Sequence, residues 1–338
     1  MNRAEDFEQK KKVIVLYLCR YLDNDSAGRF SRFVDSYKKH PAGYEHDLFI
    51  IKKGFQEHEE TWNAWSRQLD GIPFQTRVCP EHCYPTGYIR DFLEEFPEYY
   101  ILTCVASSEI LVDGWLDLFL RHANPNRILS PMWHYTRVPW WTQTPLTWKS
   151  FLRSSRTTRR QWWLQFWGCD VELQDWQVWW LENFYPCSLY LRAVFMTPPH
   201  ILEKIYWPRK ENVFSKCDDY LFEFGKFGMI VQALLAGLEP LVVRADGQSY
   251  AIEEWHRSNT FIEKWNVPNW VGEYKNIIIG DYRTQYKNLP LEAQVRTNAE
   301  NPPTQQEIDH FLRYIRSSDT SSIEEFFLKR NYRLEWME

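Results

Sequence analysis

The chain has no run of about eighteen apolar residues, so no helix is expected to cross a membrane. No G-x-G-x-x-G follows its first strand-like stretch, which removes a nicotinamide-type dinucleotide domain. A G-x-S-x-G elbow and a P-loop are both missing, so serine-hydrolase and kinase readings fall away. Positive charge is not in excess. The net charge of -5 argues against nucleic acid as a bulk electrostatic partner, leaving room only for a local basic patch. Cysteine is sparse and scattered: seven, at 19, 79, 83, 104, 169, 187 and 217, an odd set that suits reduced thiols better than a disulfide framework. The opening MNRAEDFEQKKK is polar, unlike the apolar core of a signal peptide. The expectation is a cytoplasmic protein. No internal repeat or low-complexity tract is evident.

What is present is an ordinary globular balance, 44% hydrophobic and 25% charged in 338 residues. That length suits one large α/β domain or two modest ones. Over the first 125 residues strand and helix patterns alternate. KVIVLYLCRY (12–21), HDLFIIKKG (46–54), IPFQTRV (72–78) and YYILTCVAS (99–107) read as strands. Helices are expected from Ser26 to Tyr37 and over 58–69, 87–96 and 113–123. Such units predict a parallel sheet with right-handed crossovers. Residues 126–187 break the rhythm with Pro131, Pro139 and Pro145, a basic SFLRSSRTTRR and ten of the 18 tryptophans. A second ordered half follows, with strands at 188–196 and 240–247 and a helix over 218–237. KNIIIGDY (275–282) is strand or loop, and 301–338 holds two amphipathic helices expected to pack as an outer tail.

Open α/β sheets bind ligands at the carboxyl ends of their strands. The candidates are therefore Arg20, Tyr21 and Asp23, then Lys53 and Gly54, then Cys79 to Thr86, then Ser107, Ser108 and Glu109. Cations, an aromatic and a carboxylate together can grip a base, a ribose and a diphosphate. Tyr17, on the first strand, is added to the nucleotide side.

The stretch 99–128 runs from a strand through Ser107-Ser108-Glu109 into a helix carrying Gly114-Trp115-Leu116. Later come Arg192 with Phe195-Met196, then Phe222-Glu223-Phe224-Gly225, then Asn276-Ile277, Asp281, Thr284 and Tyr286. In order and spacing this set resembles GT-A-fold glycosyltransferases of the bacterial polysaccharide and lipopolysaccharide type, over residues 12–125 and 188–290. The resemblance implies a GT-A-like Rossmannoid mixed sheet flanked by helices, with a Trp-rich, mainly helical insertion and a helical C-terminal tail. It implies a catalytic domain over 1–300, with a nucleotide-binding half (12–125), the insertion (126–187) and an acceptor half (188–300). The reaction implied is transfer of a sugar from a nucleotide-sugar donor to a glycan or glycolipid acceptor.

The family's Asp-x-Asp is absent, and Glu109 is the one carboxylate at that turn. A divalent cation, Mn2+ or Mg2+, held by Glu109 and donor phosphates is one reading. Neutralisation by Arg or Lys without a metal is the other. Inverting transfer needs a base for the acceptor hydroxyl. Glu223 is the first choice and Asp219 the second, although Asp218 and Asp219 also suit ordinary capping at a helix start. Asp281 and Arg283 are expected on a late donor-side loop.

Cys79, His82 and Cys83 form C-x2-H-C, but no second ligand pair matches it, so buried thiols in a loop are preferred to zinc. His58, His122, His134 and His256 show no metal or triad pattern. The Trp-rich segment has three readings. It could be an acceptor groove, an interfacial helix using Arg153, Arg156, Arg159 and Arg160 at a membrane's cytoplasmic face, or helix-spaced packing by residues such as Trp162 and Trp176. The rivals to an enzyme are a non-catalytic glycan-binding or assembly protein on the same fold and a peripheral membrane scaffold.

Overall fold

VIVLYLCR has bulky apolar side chains at nearly every position, and β1 (Val13–Arg20) is buried on both faces, as central strands of parallel sheets are. The computed structural model describes residues 10–23, 25–80, 84–137, 187–191, 194–210, 213, 216–260, 276–280, 304–316 and 323. From β1 the chain alternates through α1 (Ser26–Lys39), β2 (Asp47–Lys53), α2 (Glu59–Ser66), β3 (Gln75–Cys79), α3 (Pro85–Glu95) and β4 (Tyr100–Cys104). Short β5 (Ser108–Ile110) and α4 (Trp115–Leu120) lead to β6 (Arg127–Ser130) and β7 (His134–Arg137). The second half holds β8 (Cys187–Tyr190), β9 (Val194–Thr197), α5 (Lys216–Phe224), α6 (Met229–Leu235), β10 (Glu239–Val243), β11 (Ser249–Ala251), β12 (Ile278–Gly280) and α7 (Gln305–Arg316).

Eight strands form one mixed sheet in the order β11-β10-β6-β9-β4-β1-β2-β3. β3, β2, β1 and β4 run parallel, as the strand–helix alternation predicts. β9 lies antiparallel between β4 and β6. The protein is therefore α/β with a large mixed sheet and helices on both faces. One face carries α3, α5, α6 and α7, and the other α1, α2 and α4. Two small ribbons, β5 with β12 and β7 with β8, stand beside the sheet.

Five expectations change. The head of the expected mainly helical insertion 126–187 is instead two strands, β6 in the main sheet beside β10 and β7 in a ribbon. The 188–196 strand is two strands, β8 in a ribbon and β9 in the main sheet. The helix over 218–237 is also two, α5 and α6, broken at Gly225. A Cβ on Gly225 would stand 2.4 Å from the Leu221 carbonyl oxygen, so a side chain there would force the backbone of that turn to shift. The 99–107 strand stops at Cys104, and the chain turns into β5. Finally, α7 is more than an outer tail. It buries Ile308, Phe311, Leu312 and Ile315 in the main core, each worth roughly 1.5–3 kcal/mol before entropy is charged. The second helix expected in 301–338, and the segment 138–186, lie outside the described residues.

Candidate functional site

Alternation along a strand decides which face each rim residue serves. In β1, Ile14, Leu16 and Leu18 join the core under α3, whereas Val15, Tyr17 and Cys19 join the core under α1. Arg20 therefore follows the α3 side, and its Cα pairs in register with Lys53 at the end of β2. Lys53 in turn pairs with Cys79 at the end of β3. Two cations thus end neighbouring strands at the carboxyl rim, Arg20 accessible and Lys53 only 5% exposed.

Each has a defined setting. Arg20 donates to Asp23 at 2.8 Å, and the same carboxylate receives Arg29 at 3.0 Å. Arg29 is only 4% exposed, so Asp23 neutralises a buried charge while holding an accessible one. The Lys53 ammonium lies 5.2 Å from the Tyr84 ring centroid, in cation–π range. Lys52 faces the other way and pairs with Glu59 at 3.0 Å over Trp62. Beyond β1 the Tyr21 ring stacks on His58, 4.0 Å between centroids, with Phe55 and Trp65 behind it. Together these rings form an aromatic shelf.

Tyr17 is placed differently from the expectation that it meets a nucleotide. It is 1% exposed, its ring stacks on Phe33 at 3.7 Å, and its hydroxyl donates to the Ala106 carbonyl at 2.7 Å. Burial pushes its phenol well above the usual range. It supports the β4–β5 turn from below. That turn carries Ser107 and Ser108, both buried, and half-exposed Glu109. Burial also pushes the Cys104 thiol up to about 12, making it a packing group rather than a nucleophile.

β5 pairs with β12, with Glu109 opposite Ile279 and Ser108 opposite Gly280. Ser107-Ser108-Glu109 and Asn276-Ile277, 167 residues apart at their nearest, are thereby brought together. Asn276 is buried and donates to the Pro131 carbonyl at 3.0 Å. Asp281 and Arg283 follow Gly280 directly in sequence but lie outside the described residues, as do Thr284, Tyr286 and Arg192. Gly114 opens α4 with φ of 68°, and its N–H donates to Pro41 at 2.7 Å. That hydrogen bond and buried Trp115 account structurally for the Gly-Trp-Leu element.

The two candidate bases share one face of α5, a turn apart. Asp219 is 0% exposed and accepts both the Thr86 amide at 3.1 Å and the Thr86 hydroxyl at 2.5 Å. A carboxylate so enclosed is a helix clasp, and this places the second-choice base away from proton transfer with an acceptor. Glu223 is half-exposed and lines a recess of about 30 Å3 between α3 and α5, with Pro85, Thr86, Trp207 and Phe222 around it. That volume suits one water or one hydroxyl group. The flanking Phe222 and Phe224 pack on Trp207 and Tyr190, which fixes the α5 face that Glu223 occupies.

Among the described residues no three His, Cys, Asp or Glu side chains gather as metal ligands. Glu109 with two buried serines is a short donor set for a hard ion that takes six or more oxygens. Cys79 is a buried thiol, and 81–83 lie outside the described residues. No described helix is long and apolar enough to cross a membrane. Arg29 and Trp207 were not legible as site residues. Their signals are an arginine one turn inside α1 and a tryptophan in the Ile205-Tyr206-Trp207 run of a link between strand and helix. A scan of known protein-family models gives no match to this chain, and no curated protein sequence matches it.

Proposed function

We propose that this chain is a GT-A-like glycosyltransferase that moves a sugar from a nucleoside-diphosphate donor to a glycan or glycolipid acceptor. One observation carries the reading. The carboxyl rim of β1, β2 and β4 gathers Arg20, Lys53, the Tyr21–His58 shelf and the Ser107–Glu109 turn, with Glu223 flanking the adjoining α3. The order β3-β2-β1-β4 followed by antiparallel β9, with a side ribbon carrying the Ser-Ser-Glu turn, supports the GT-A comparison. Fold alone hosts many chemistries, so the argument rests on the rim.

In this reading the shelf takes the nucleobase, while Arg20 and Lys53 meet the diphosphate. Charge-assisted hydrogen bonds strengthen there as the leaving group gains negative charge. The anomeric carbon–oxygen bond breaks, its electron pair leaves with the nucleoside diphosphate, and the acceptor oxygen bonds to that carbon. For an inverting transfer Glu223 takes the acceptor's hydroxyl proton. A carboxylate against apolar walls, open to one small polar group, is a common setting for a general base. Glu109 is the described residue that would approach a divalent ion, and Asp281 and Arg283, outside the described residues, are the further donor-side candidates of the sequence. The β7–β8 ribbon rises from the same rim and bounds the Trp-rich segment, which we assign to the acceptor.

A thermal-shift screen against UDP-, GDP-, CMP- and dTDP-linked sugars, with and without Mn2+, tests the donor site. At one hundred times Kd a ligand adds about 2.7 kcal/mol. A chain of 338 residues unfolds with an entropy near 0.7 kcal/mol/K, so the expected rise is roughly 4 °C. Arg20→Gln and Lys53→Met should each abolish it, and Glu223→Gln should keep it while losing transfer. No shift from folded protein with any nucleotide would overturn the reading. A non-catalytic glycan-binding protein on the same fold is favoured by the single carboxylate on β5. It would show glycan binding that survives Glu223→Gln.

A further inference from the structure

A helix leaves its first N–H groups without partners inside the helix. In α3 the preceding Tyr84 supplies no side-chain cap, and Pro85 has no N–H to satisfy. The Thr86 amide is met instead by Asp219, 133 residues further on, which also takes the Thr86 hydroxyl. Trp207 completes the set by donating its indole N–H to the Thr86 carbonyl at 2.8 Å. Arg90, one turn further along α3, donates to the Trp207 carbonyl. Gly87 makes the approach possible, because a Cβ there would stand 2.8 Å from the Lys210 Cβ. The amide, hydroxyl and carbonyl of Thr86 thus each meet a residue of the second half of the chain.

We infer that Asp219 is a positioning residue that locks α3 to α5 and so fixes Glu223 relative to the Lys53–Tyr84 side of the rim. Its role as a positioner of the base rests on the glycosyltransferase reading, whereas the lock itself does not. The recess has Pro85 and Thr86 on one wall and Phe222 and Glu223 on the other. Asp219 fastens these walls one helical turn from Glu223. Tyr84, two residues before Thr86, lies over the Lys53 ammonium, so the same fastening reaches the cationic rim. A buried carboxylate at a helix N-terminus with two donors is held by the helix dipole as well as by hydrogen bonds. Glu223 has one carboxylate oxygen, Oε2, fully covered in this arrangement.

Carbodiimide labelling of carboxylates with glycinamide, read by mass spectrometry on the full chain, tests the lock without needing any substrate. Glu45 and Glu60, on the α1–α2 side of the sheet and so across it from α5, serve as internal controls. Asp219→Ala should raise the Glu223 labelling rate at least tenfold with both controls unchanged. Hydrogen exchange should speed up together in 85–95 and 216–224. Asp219→Asn keeps an acceptor for Thr86 and should return labelling to within threefold of the parent. If Asp219→Ala does not fold, Thr86→Val removes the hydroxyl and should shift Glu223 in the same direction. Unchanged Glu223 labelling in a folded variant, or equal rises at Glu223 and both controls, overturns the inference. Failure of the functional reading shows separately, as an absent nucleotide-sugar shift in the parent protein.

Discussion

Replacing Gly225 by alanine separates steric from conformational demand in the turn that follows Glu223 and ends α5. The new Cβ would lie 2.4 Å from the Leu221 carbonyl oxygen and 3.1 Å from the Leu221 Cα. An ordinary contact is about 3.4 Å or more, so roughly 1 Å must be found by moving the backbone of α5. Overpacking against a wall that cannot rotate away costs about 3 kcal/mol. Alanine also narrows the unfolded ensemble, which returns about 0.7 kcal/mol, for a net loss near 2 kcal/mol. Gly237 is the control. Its φ is 72° and its Cβ would meet nothing within 4 Å, so Gly237→Ala tests left-handed strain alone. That strain is about 1–2 kcal/mol, or roughly 0.5–1 kcal/mol net. Urea unfolding of the parent and both variants with a shared slope should rank Gly225→Ala the costlier by at least about 1 kcal/mol. A Gly225→Ala protein as stable as the parent would refute the steric account of the α5–α6 break.

Two further outcomes are expected. Asp23→Ala strips the shared partner from buried Arg29 and should cost about 2 kcal/mol, a drop near 3 °C in melting temperature. An unchanged melting temperature would mean that Arg29 finds another anion. His46 is held neutral: its Nδ1–H donates to the Tyr44 carbonyl at 3.0 Å, and its Nε2 accepts the Tyr37 hydroxyl at 2.7 Å. Burial lowers its proton affinity in the folded state, partly offset by the Tyr44 carbonyl and Asp47. The unfolded chain therefore binds more protons as pH falls through about 6.5, and stability present above that pH is lost below it. Urea midpoints of the parent and His46→Gln between about pH 7.5 and 5 check this. Parallel slopes would remove His46 as the cause.

The first half of the fold was legible because its strands are short apolar runs and its helices fill the spaces between them. That pattern needs no distant partner. β9 was not legible as a separate strand, since its direction comes from pairing Val194–Thr197 against β4. The α5–α6 break hides in sequence because apolar spacing continues through Phe224-Gly225-Lys226-Phe227. Only the Leu221 carbonyl shows why it must turn. At the rim, Arg20 and Lys53 could be read from the strand-end rule. Tyr17 could not, because the period of two sends it to the α1 face three residues before the end. Asp219 and Glu223 share a helix face, so sequence cannot say which is enclosed. Thr86, a residue of the other half, decides that.

The ribbon of β7 and β8 sets Arg137 opposite Cys187 and His134 opposite Tyr190. Both ends of the segment between them are thus pinned on one rung of a ladder. A change of length between Arg137 and Cys187 therefore needs no rethreading of the strands that hold Arg20 and Lys53.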